Sequence, residues 1–548
     1  MTVQIGPSKV GGQFALVSAL SFTGFGTEFV GPDSDTGRFR SDISLVPSGA
    51  ATINPKSLFE SQKHSRGLKL AERKDLNMSE NHHTDDAPVH ESDPPTYDGA
   101  PLIGNTLQMV REQGGLFEKA AAKGDVVRLR ILGMGDLYLI NHPDLVKQIL
   151  VSDRQRFTKA TQSQEDLQDL LGQGLVLSEG DLWERQRQRI QPAFYMDQIA
   201  DYADTMTDEV HTAADDWTGN PTVNIEDEMK ALTLRILVKA IFGSDIDYEG
   251  RNIRETVRRL QEPGQPAKQP IARMVPKWVP IPMWRRYSKG IDEMESVINT
   301  FVESRRGDVD EPDDLLSILL AATDEDGEGM SEKLLRDELM TFLFAGHETT
   351  ATALTFTWFL LAQHPEVEEK LVAELDEVLG GEPPTFADIP ELEYTERVLK
   401  EGMRIYPPVP QIPRETTEAL ELGGYSIPEG ATVAPSQWTI HRDERFWDDP
   451  MAFRPDRFTG ASTRPQFAYF PFGGGPRRCI GQQFAMVEGK LILATLAQRY
   501  HPELVSDPDV DLSVSITTRP IDPIKLRLEQ RERGQKSPAI ENEQTRTY

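Results

Sequence analysis

The feature that most constrains this 548-residue chain is the segment from Phe472 to Gly481, which contains the only cysteine of the sequence, Cys479. Three consecutive glycines, Gly473 to Gly475, precede the cysteine. Such glycines let a backbone approach a flat cofactor closely and adopt positive φ without strain. A helical pattern begins at Gln482, so Cys479 is expected just before a helix N-terminus, where N–H groups and the helix dipole favour a thiolate. The segment therefore predicts a thiolate ligand for iron.

Other interpretations of this segment are weaker. A lone cysteine is often a small buried hydrophobe, and a run of glycines is often a turn. No Gly-Lys-Ser/Thr follows as in a phosphate-binding loop, and Arg478 stands where a dinucleotide-binding fingerprint needs a glycine. One cysteine also allows neither an intramolecular disulfide nor a zinc cluster of thiolates. The pattern resembles the haem-binding loop of the cytochrome P-450 family at Phe472, Gly475, Arg477, Cys479 and Gly481.

A second segment, Ala345 to Thr350, places a carboxylate and two hydroxyls inside a long apolar helix pattern. Polar groups there are costly unless paired or used, and a structural polar cluster is the plain alternative. The segment resembles the family motif that lies over the distal face of the haem. That resemblance implies that Ala345 contacts the cofactor and that Glu348 and Thr349 are catalytic, as a proton relay. His347 occupies the variable position of the motif, so it is expected to point away rather than to ligate iron.

Two further family patterns involve arginines that support the cofactor or its loop. Glu401 and Arg404 are spaced i, i+3 on one helix face, and the resemblance implies that they form a buried network with Arg457. It also implies contacts to the haem propionates, because a guanidinium suits carboxylate geometry. The residues assigned to the cofactor in this way are Trp183, Arg187, Arg414 and Arg477.

Three other arginines form a basic island in an acidic chain. They are Arg185, Arg189 and Arg478. An exposed helix face is the plain interpretation of the first two. With the resemblance in view, the island is predicted to dock an acidic electron donor through complementary charge.

The chain is predicted to contain one catalytic domain, 98–528, between two polar ends. Residues 1–97 lack a sustained helical or strand period, as expected of a disordered extension, with a possible true start at Met78. Residues 529–548 are predicted to be a polar tail. The periodicity predicts a β-hairpin at Val126–Ile131 and Leu137–Ile140, strands within Leu422–Val433 and Val514–Leu528, and helices at Met206–Trp217, Met229–Phe242, Ser331–Gln363, Val367–Leu379 and Gln482–Tyr500.

The charge of the chain disfavours some classes of function. Lys and Arg number 59 against 88 Asp and Glu, a net charge of −29, and nucleic-acid binding needs a basic face. Acidic residues spread along the whole chain predict a halophilic protein, since a Debye length of ~3 Å at 1 M salt suppresses self-repulsion. The apolar stretch from Leu339 to Ala362 carries Glu348, and a central carboxylate costs ~2.5–3.5 kcal/mol in a bilayer. A soluble, cytoplasmic protein without a membrane span is therefore expected.

The resemblance covers roughly Pro101 to Leu528 and implies a mainly α-helical fold with a smaller β region. Haem b would lie between the helix of Thr349 and the loop of Cys479. The implied activity is a monooxygenase that inserts one oxygen atom from O2 into an apolar small molecule. The expected pocket walls are Phe342, Phe344, Ala345, Val409 to Ile412 and Ile516, and a lipid, a terpenoid or a carotenoid would fit.

The sequence also bears on the source of electrons and on two other classes of function. No flavin or nicotinamide pattern is seen after Leu528, so NAD(P)H is expected to act only through separate proteins, such as an acidic ferredoxin and its reductase. A peroxide-driven peroxygenase would use the same thiolate, but it usually lacks the acid–alcohol pair of Glu348 and Thr349. A non-enzymatic haem sensor or electron carrier would need neither that pair nor an apolar pocket. The pair therefore favours the monooxygenase.

Overall fold

The computed structural model of the protein describes residues 93–217, 222–243, 253, 256–257, 282–305, 314–322 and 329–531. The predicted start at Met78, most of the predicted extension and residues 532–548 of the predicted tail lie outside the described residues. The N–H of Tyr97 donates to the carbonyl of Arg128 at 2.9 Å, and Thr96 forms a parallel bridge with the same residue. Regular pairing therefore starts before residue 98.

Helices make up most of the described chain. They are α1 (Thr106–Glu112), α2 (Gly114–Ala121), α3 (Pro143–Lys147), α4 (Thr161–Leu171), α5 (Gly180–Ile190), α6 (Met196–Asp216), α7 (Ile225–Phe242), α8 (Pro282–Arg305), α9 (Leu315–Ala321), α10 (Glu332–Leu361), α11 (Pro365–Leu379), α12 (Glu393–Ile405), α13 (Gln437–Ile440) and α14 (Gln482–Arg499).

The strands are short and belong to small sheets. They are β1 (Val126–Ile131), β2 (Gly135–Ile140), β3 (Phe157–Lys159), β4 (Thr222–Asn224), β5 (Arg414–Thr416), β6 (Leu420–Leu422), β7 (Tyr425–Ile427), β8 (Thr432–Pro435), β9 (Tyr500–Leu504), β10 (Leu512–Val514), β11 (Thr518–Pro520) and β12 (Lys525–Gln530). One sheet has the order β1-β2-β8-β5-β3 and another β4-β12-β9, while β6–β7 and β10–β11 are hairpins. In the first sheet Lys159 of β3 lies opposite Arg414 of β5.

The long helix α10 is buried along most of its length, as its apolar sequence requires. Its N-terminus is capped by the hydroxyl of Ser331, which accepts from the N–H of Leu334 at 3.2 Å. The helix ends at Leu361, shortly before Pro365, because a proline disfavours helical backbone in the residue before it. It packs against α7, α12 and α14. The motif around Thr349 is thereby held among packed helices.

Most predicted elements agree with the structure, with shifts at their ends. The β-hairpin and helices α7, α10, α11 and α14 lie close to their predicted ranges, whereas α6 begins at Met196, before the predicted Met206. Strand β12 continues through Glu529 and Gln530, which pair with β9. These two residues therefore belong to the strand rather than to the predicted tail. Among the helices that the structure describes, none combines the length and apolarity needed to cross a membrane.

Candidate functional site

A cavity of about 330 Å³ lies between the middle of α10 and the loop from Phe472 to Gly481. Most of its walls are apolar, and polar groups are confined to a few positions. Of the residues predicted from sequence, the structure brings together in this lining Phe342, Ala345, Thr349, Val409, Ile412, Arg414, Phe472, Arg477, Cys479 and Gly481. The helix motif and the cysteine loop therefore form two walls of one space.

Cys479 lines this cavity, and its side chain is accessible from that space. Its own N–H donates to the carbonyl of Phe472 at 3.0 Å, which fixes the turn before α14. Burial within the surrounding protein raises the pKa of the thiol, whereas the N–H of Gly481 and the charges of Arg187 and Arg478 lower it. The donor and the cations are those that a thiolate needs.

Three cations line one part of the cavity. Lys159 and Arg414 are opposite each other on β3 and β5, and Arg477 precedes the cysteine by two positions. Burial, followed by the charge of Arg477, lowers the pKa of Arg414 to about 10. Burial, Arg414 and Arg477 hold the pKa of Lys159 well below its ordinary value. Within the described residues, Glu179 is the carboxylate that offsets this charge, and it pairs with Arg477.

Trp183 and Arg187 stand behind the lining rather than in it. The guanidinium of Arg477 lies over the ring of Trp183, 4.4 Å from its centre. Arg187 donates from Nη1 to the carbonyl of Arg478 at 3.0 Å. Both residues of α5 therefore contact the segment that carries Cys479.

Glu348 and Thr349, the acid and the alcohol of the α10 motif, lie in different environments. Thr349 lines the cavity, and its hydroxyl donates to the carbonyl of Ala345 at 2.9 Å. Glu348 is buried beside the β10–β11 hairpin, where Oε1 accepts from Thr517 Oγ1 at 2.7 Å and from the guanidinium of Arg519. Glu348 is outside the cavity lining. Arg519 had no signal in the sequence, because it lies far along the chain in a segment without a motif.

His347 is fully buried, and it is not part of the cavity lining. Its Nδ1 contacts the carbonyl of Leu343 within α10. Burial lowers the pKa of His347 to about 4, although Glu348 acts in the opposite sense. The side chain points away from the cavity, as predicted from the motif.

Five further residues lie outside the cavity lining although the sequence analysis placed them at the site: Phe344, Pro410, Gln411, Gly475 and Ile516. Ile516 lies at the tip of the β10–β11 hairpin and is 39% exposed, because the hairpin turns Thr517 and Arg519 toward Glu348 instead. Phe344 is also outside the lining and packs against the main core. Gly475 has φ +66°, and a Cβ there would meet the carbonyl oxygen of Leu150 at 2.1 Å. Its missing side chain allows the loop to pack on Leu150.

The predicted network below the loop is present. Glu401 accepts from Arg404 Nε and Nη2 at 2.7 and 2.8 Å and from Arg457 Nε at 3.0 Å. Arg404 Nη1 also donates to the carbonyl of His441 at 2.8 Å, and His441 Nε2 accepts from the N–H of Phe470 at 3.0 Å. The network therefore connects α12 to the segment that leads into the cysteine loop.

Comparison with known proteins identifies the family of this arrangement. The family model described as cytochrome P450 matches residues 94–528. This chain belongs to the cytochrome P450 family. It is a P450-type monooxygenase, an oxidoreductase.

Relatives and a solved structure agree over most of the chain. "Cyclooctatin synthase" of Streptomyces melanosporofaciens is 37% identical over 73% of this P450 and 88% of the relative. "Pentalenene oxygenase" of Streptomyces avermitilis is 32% identical over 79% of this chain and 97% of the relative. The crystal structure of the cytochrome P450DA heme domain superposes with a TM-score of 0.72 at 28% identity, covering 81% of this chain and 99% of that one. The predicted fold, mainly α-helical with a smaller β region, is confirmed.

The residues of the cavity fit the haem that this family implies. A haem presents an iron to a thiolate and two propionates to cations, and the cavity offers Cys479 together with Lys159, Arg414 and Arg477. These three cations exceed the one carboxylate, Glu179, that the described residues place among them. Arg414 is buried and the other two cations are partly buried, and cations held out of water favour an anionic partner. Lys159 is a residue that sequence reasoning missed, and its pairing opposite Arg414 depends on the folded sheet.

Proposed function

We propose that this P450 binds haem b through Cys479 and inserts oxygen from O2 into an apolar, terpene-like molecule, using electrons from separate proteins. We assign this catalysis to residues 98–528. The observation that carries the proposal is the single cavity in which Cys479 lies on one wall and Thr349 on another, with apolar side chains between them. When bound there, haem supplies the thiolate-ligated iron at which O2 is activated.

The haem would be held by the groups that already surround the cavity. Cys479 would hold the iron through its sulfur, and Lys159, Arg414 and Arg477 would bind the propionates. Trp183 would hold Arg477 by the contact of its ring, and Arg187 would hold the loop through the carbonyl of Arg478. Ala345, Phe472 and Gly481 would contact the macrocycle, since they line the same space.

The proton relay would consist of Thr349 inside the cavity and Glu348 at its back. The hydroxyl of Thr349 would turn from the carbonyl of Ala345 to give its proton to the cavity, and Glu348 would return a proton to Oγ1. Arg519 and Thr517 bind the Glu348 carboxylate, and Arg519 is 16% exposed in its side chain. Glu348 therefore stands between the cavity side of α10 and a cation that reaches solvent.

The substrate class is argued from the walls and from the relatives. Phe194, Leu237, Phe342, Val409 and Ile412 present apolar surface to the cavity, and such surface binds hydrocarbon by removing it from water. The relatives carry the names cyclooctatin synthase, cyclooctat-9-en-7-ol 5-monooxygenase and pentalenene oxygenase. A cyclic terpene hydrocarbon or its alcohol is the substrate that we propose.

The electron donor would be an acidic protein such as a ferredoxin, which a reductase supplies with electrons from NAD(P)H. Arg185 of α5 and Arg478 of the cysteine loop are exposed, and Arg189 lies on the same helix as Arg185. Reversing the charge of Arg185 and Arg189 to Glu is expected to slow reduction by a ferredoxin while leaving the haem spectrum intact. An unchanged rate of reduction in the double variant would contradict this docking surface.

The activity is tested by turnover with labelled oxygen. Purified protein with a ferredoxin, its reductase and NADPH is incubated with a panel of cyclic terpenes under 18O2. The expected result is one labelled oxygen atom per product molecule and a substrate-induced spectral shift. Product formed equally well from peroxide without the redox proteins would support the peroxygenase instead. The predicted halophily is tested in the same assay by varying the salt concentration, and the predicted cytoplasmic location remains a prediction.

A further inference from the structure

The loop between α4 and α5, residues 172–179, forms one part of the cavity wall. Val176 of this loop lines the cavity beside Phe194 and Phe342. The rings of these two phenylalanines are 5.7 Å apart between centroids. The position of the loop therefore sets the room available on this side of the cavity.

Two buried carboxylates of α10 hold this loop in place. Asp337 Oδ2 accepts from the N–H of Gln173 at 2.8 Å, and Glu338 Oε2 accepts from the N–H of Leu175 at 2.9 Å. Both acids have no exposed surface. We call Asp337 and Glu338 the acid clamp. Two adjacent acids of the helix thus bind the backbone amides of two loop residues that are separated by one position.

The loop is shaped to lie directly on the clamp. Gly172 has φ +53°, and a Cβ there would meet Asp337 Oδ2 at 2.1 Å. A Cβ at Gly174 would meet Thr341 Oγ1 at the same distance, 2.1 Å. A side chain at either glycine would push the loop away from α10. The two glycines therefore serve a close contact between backbone and helix.

A glutamine of α5 completes the clamp. Gln186 Nε2 donates to Glu338 Oε1 and to the carbonyl of Gln173, each at 2.6 Å. The clamp thereby connects the loop, α5 and α10 through one buried polar group. Burial raises the pKa of Glu338 to about 8, although the bonds from Leu175 and Gln186 act in the opposite sense. An apolar side chain at position 338 would avoid this desolvation, so the buried acid lowers the stability of the fold relative to an apolar residue.

We propose that Asp337 and Glu338 are specificity-determining residues, which fix the loop carrying Val176 against α10 and so limit the size of the ligand that enters the cavity. This inference rests on the proposed function, because it takes the cavity as the place where substrate meets the haem. Loosening the clamp admits larger ligands and leaves the entry of small ones nearly unchanged.

The clamp is tested with Glu338→Gln, which keeps the size of the side chain but leaves one acceptor oxygen where Glu338 uses two, for the Leu175 N–H and for Gln186 Nε2. Hydrogen exchange of the Leu175 amide is measured without added ligand, and the association of imidazole and of a phenyl-substituted imidazole is followed by the visible spectrum. Loss of one of the two buried hydrogen bonds that Glu338 accepts loosens the loop, and it is expected to raise exchange at Leu175 by about tenfold. The association rate of the bulky ligand should rise by a similar factor, about tenfold, while that of imidazole stays close to the unmodified value.

The matched control is Glu368→Gln, which removes another buried carboxylate that pairs with His501 and Arg531 away from the loop. It should leave exchange at Leu175 and both association rates unchanged. If Glu338→Gln fails to fold, Gln186→Met removes the third member of the clamp and is expected to show the same selectivity for the bulky ligand.

Two outcomes overturn the inference. In one, exchange at Leu175 does not change in the clamp variants. In the other, exchange rises but both imidazoles associate as before. If the unmodified protein shows no spectral shift with either imidazole, the result counts against the haem site and so against the proposed function. The hydrogen exchange at Leu175 would then still test whether Glu338 holds the loop.

Discussion

Replacing Glu401 with glutamine is expected to destabilise the protein by about 3–5 kcal/mol, the usual loss when one partner of a buried ion pair is removed. Glu401 and Arg404 have no exposed side-chain surface, and the side chain of Arg457 is 7% exposed. Glutamine keeps the length of the side chain but leaves two guanidinium groups facing a neutral amide. A guanidinium group keeps its charge in proteins. The full penalty of the uncompensated charges should therefore appear in the free energy of unfolding.

The assay is urea unfolding followed by tryptophan fluorescence. Trp447 is a local reporter, because the guanidinium of Arg404 lies 5.0 Å from its ring centre. The matched control is Glu503→Gln, which breaks a pair with Arg527 at 2.6 Å whose side chains are 47% and 44% exposed. Exposed pairs contribute at most about 1 kcal/mol. A loss for Glu401→Gln no larger than that of the control would refute the argument from burial.

Three further predictions concern the relay, the cations and pH. Arg519→Gln removes the cation that binds Glu348. The amount of product formed per NADPH consumed should fall several-fold, as expected when a charge-assisted hydrogen bond is lost. Arg527→Gln is the control, and an equal product yield per NADPH in both variants would contradict the relay. Lys159→Met should raise the rate of haem loss to an acceptor apoprotein by about tenfold, whereas an unchanged rate would remove Lys159 from the propionate site. Burial raises the pKa of Glu488 from its ordinary 4.5 to about 8, so the folded state binds a proton that the unfolded state releases, and stability falls as pH rises between these values. Glu488→Gln abolishes this loss, and its advantage in the free energy of unfolding should grow by about 1.4 kcal/mol per pH unit in that window; parallel curves for the two proteins would contradict the assignment.

The parts of the site that the sequence predicted are those encoded locally. The loop of Cys479 and the start of α14 are read from glycines and an apolar period within a few residues of one another. The central helix was predicted as Ser331–Gln363 and is Glu332–Leu361, because its cap and its apolar length are both local signals. The pairing of Glu401 with Arg404 follows from helix geometry alone.

The parts that the sequence did not predict depend on contacts between distant segments. Lys159 reaches the cavity because β3 pairs with β5, and neither strand has more than three residues to signal its register. Arg519 reaches Glu348 through the β10–β11 hairpin, where alternation over so few residues does not reveal which side chains face inward. The same ambiguity explains why Ile516 was placed in the pocket although it lies at the exposed tip.

The most direct measurement of the central claim, sulfur ligation of haem iron by Cys479, is the difference spectrum of the reduced, carbon monoxide-treated protein. The unmodified protein, expressed with ample haem, should give the strongly red-shifted Soret band of a thiolate-ligated haem, and Cys479→Ser should lose it. A colourless unmodified protein, or a serine variant that keeps the same band, would contradict the account.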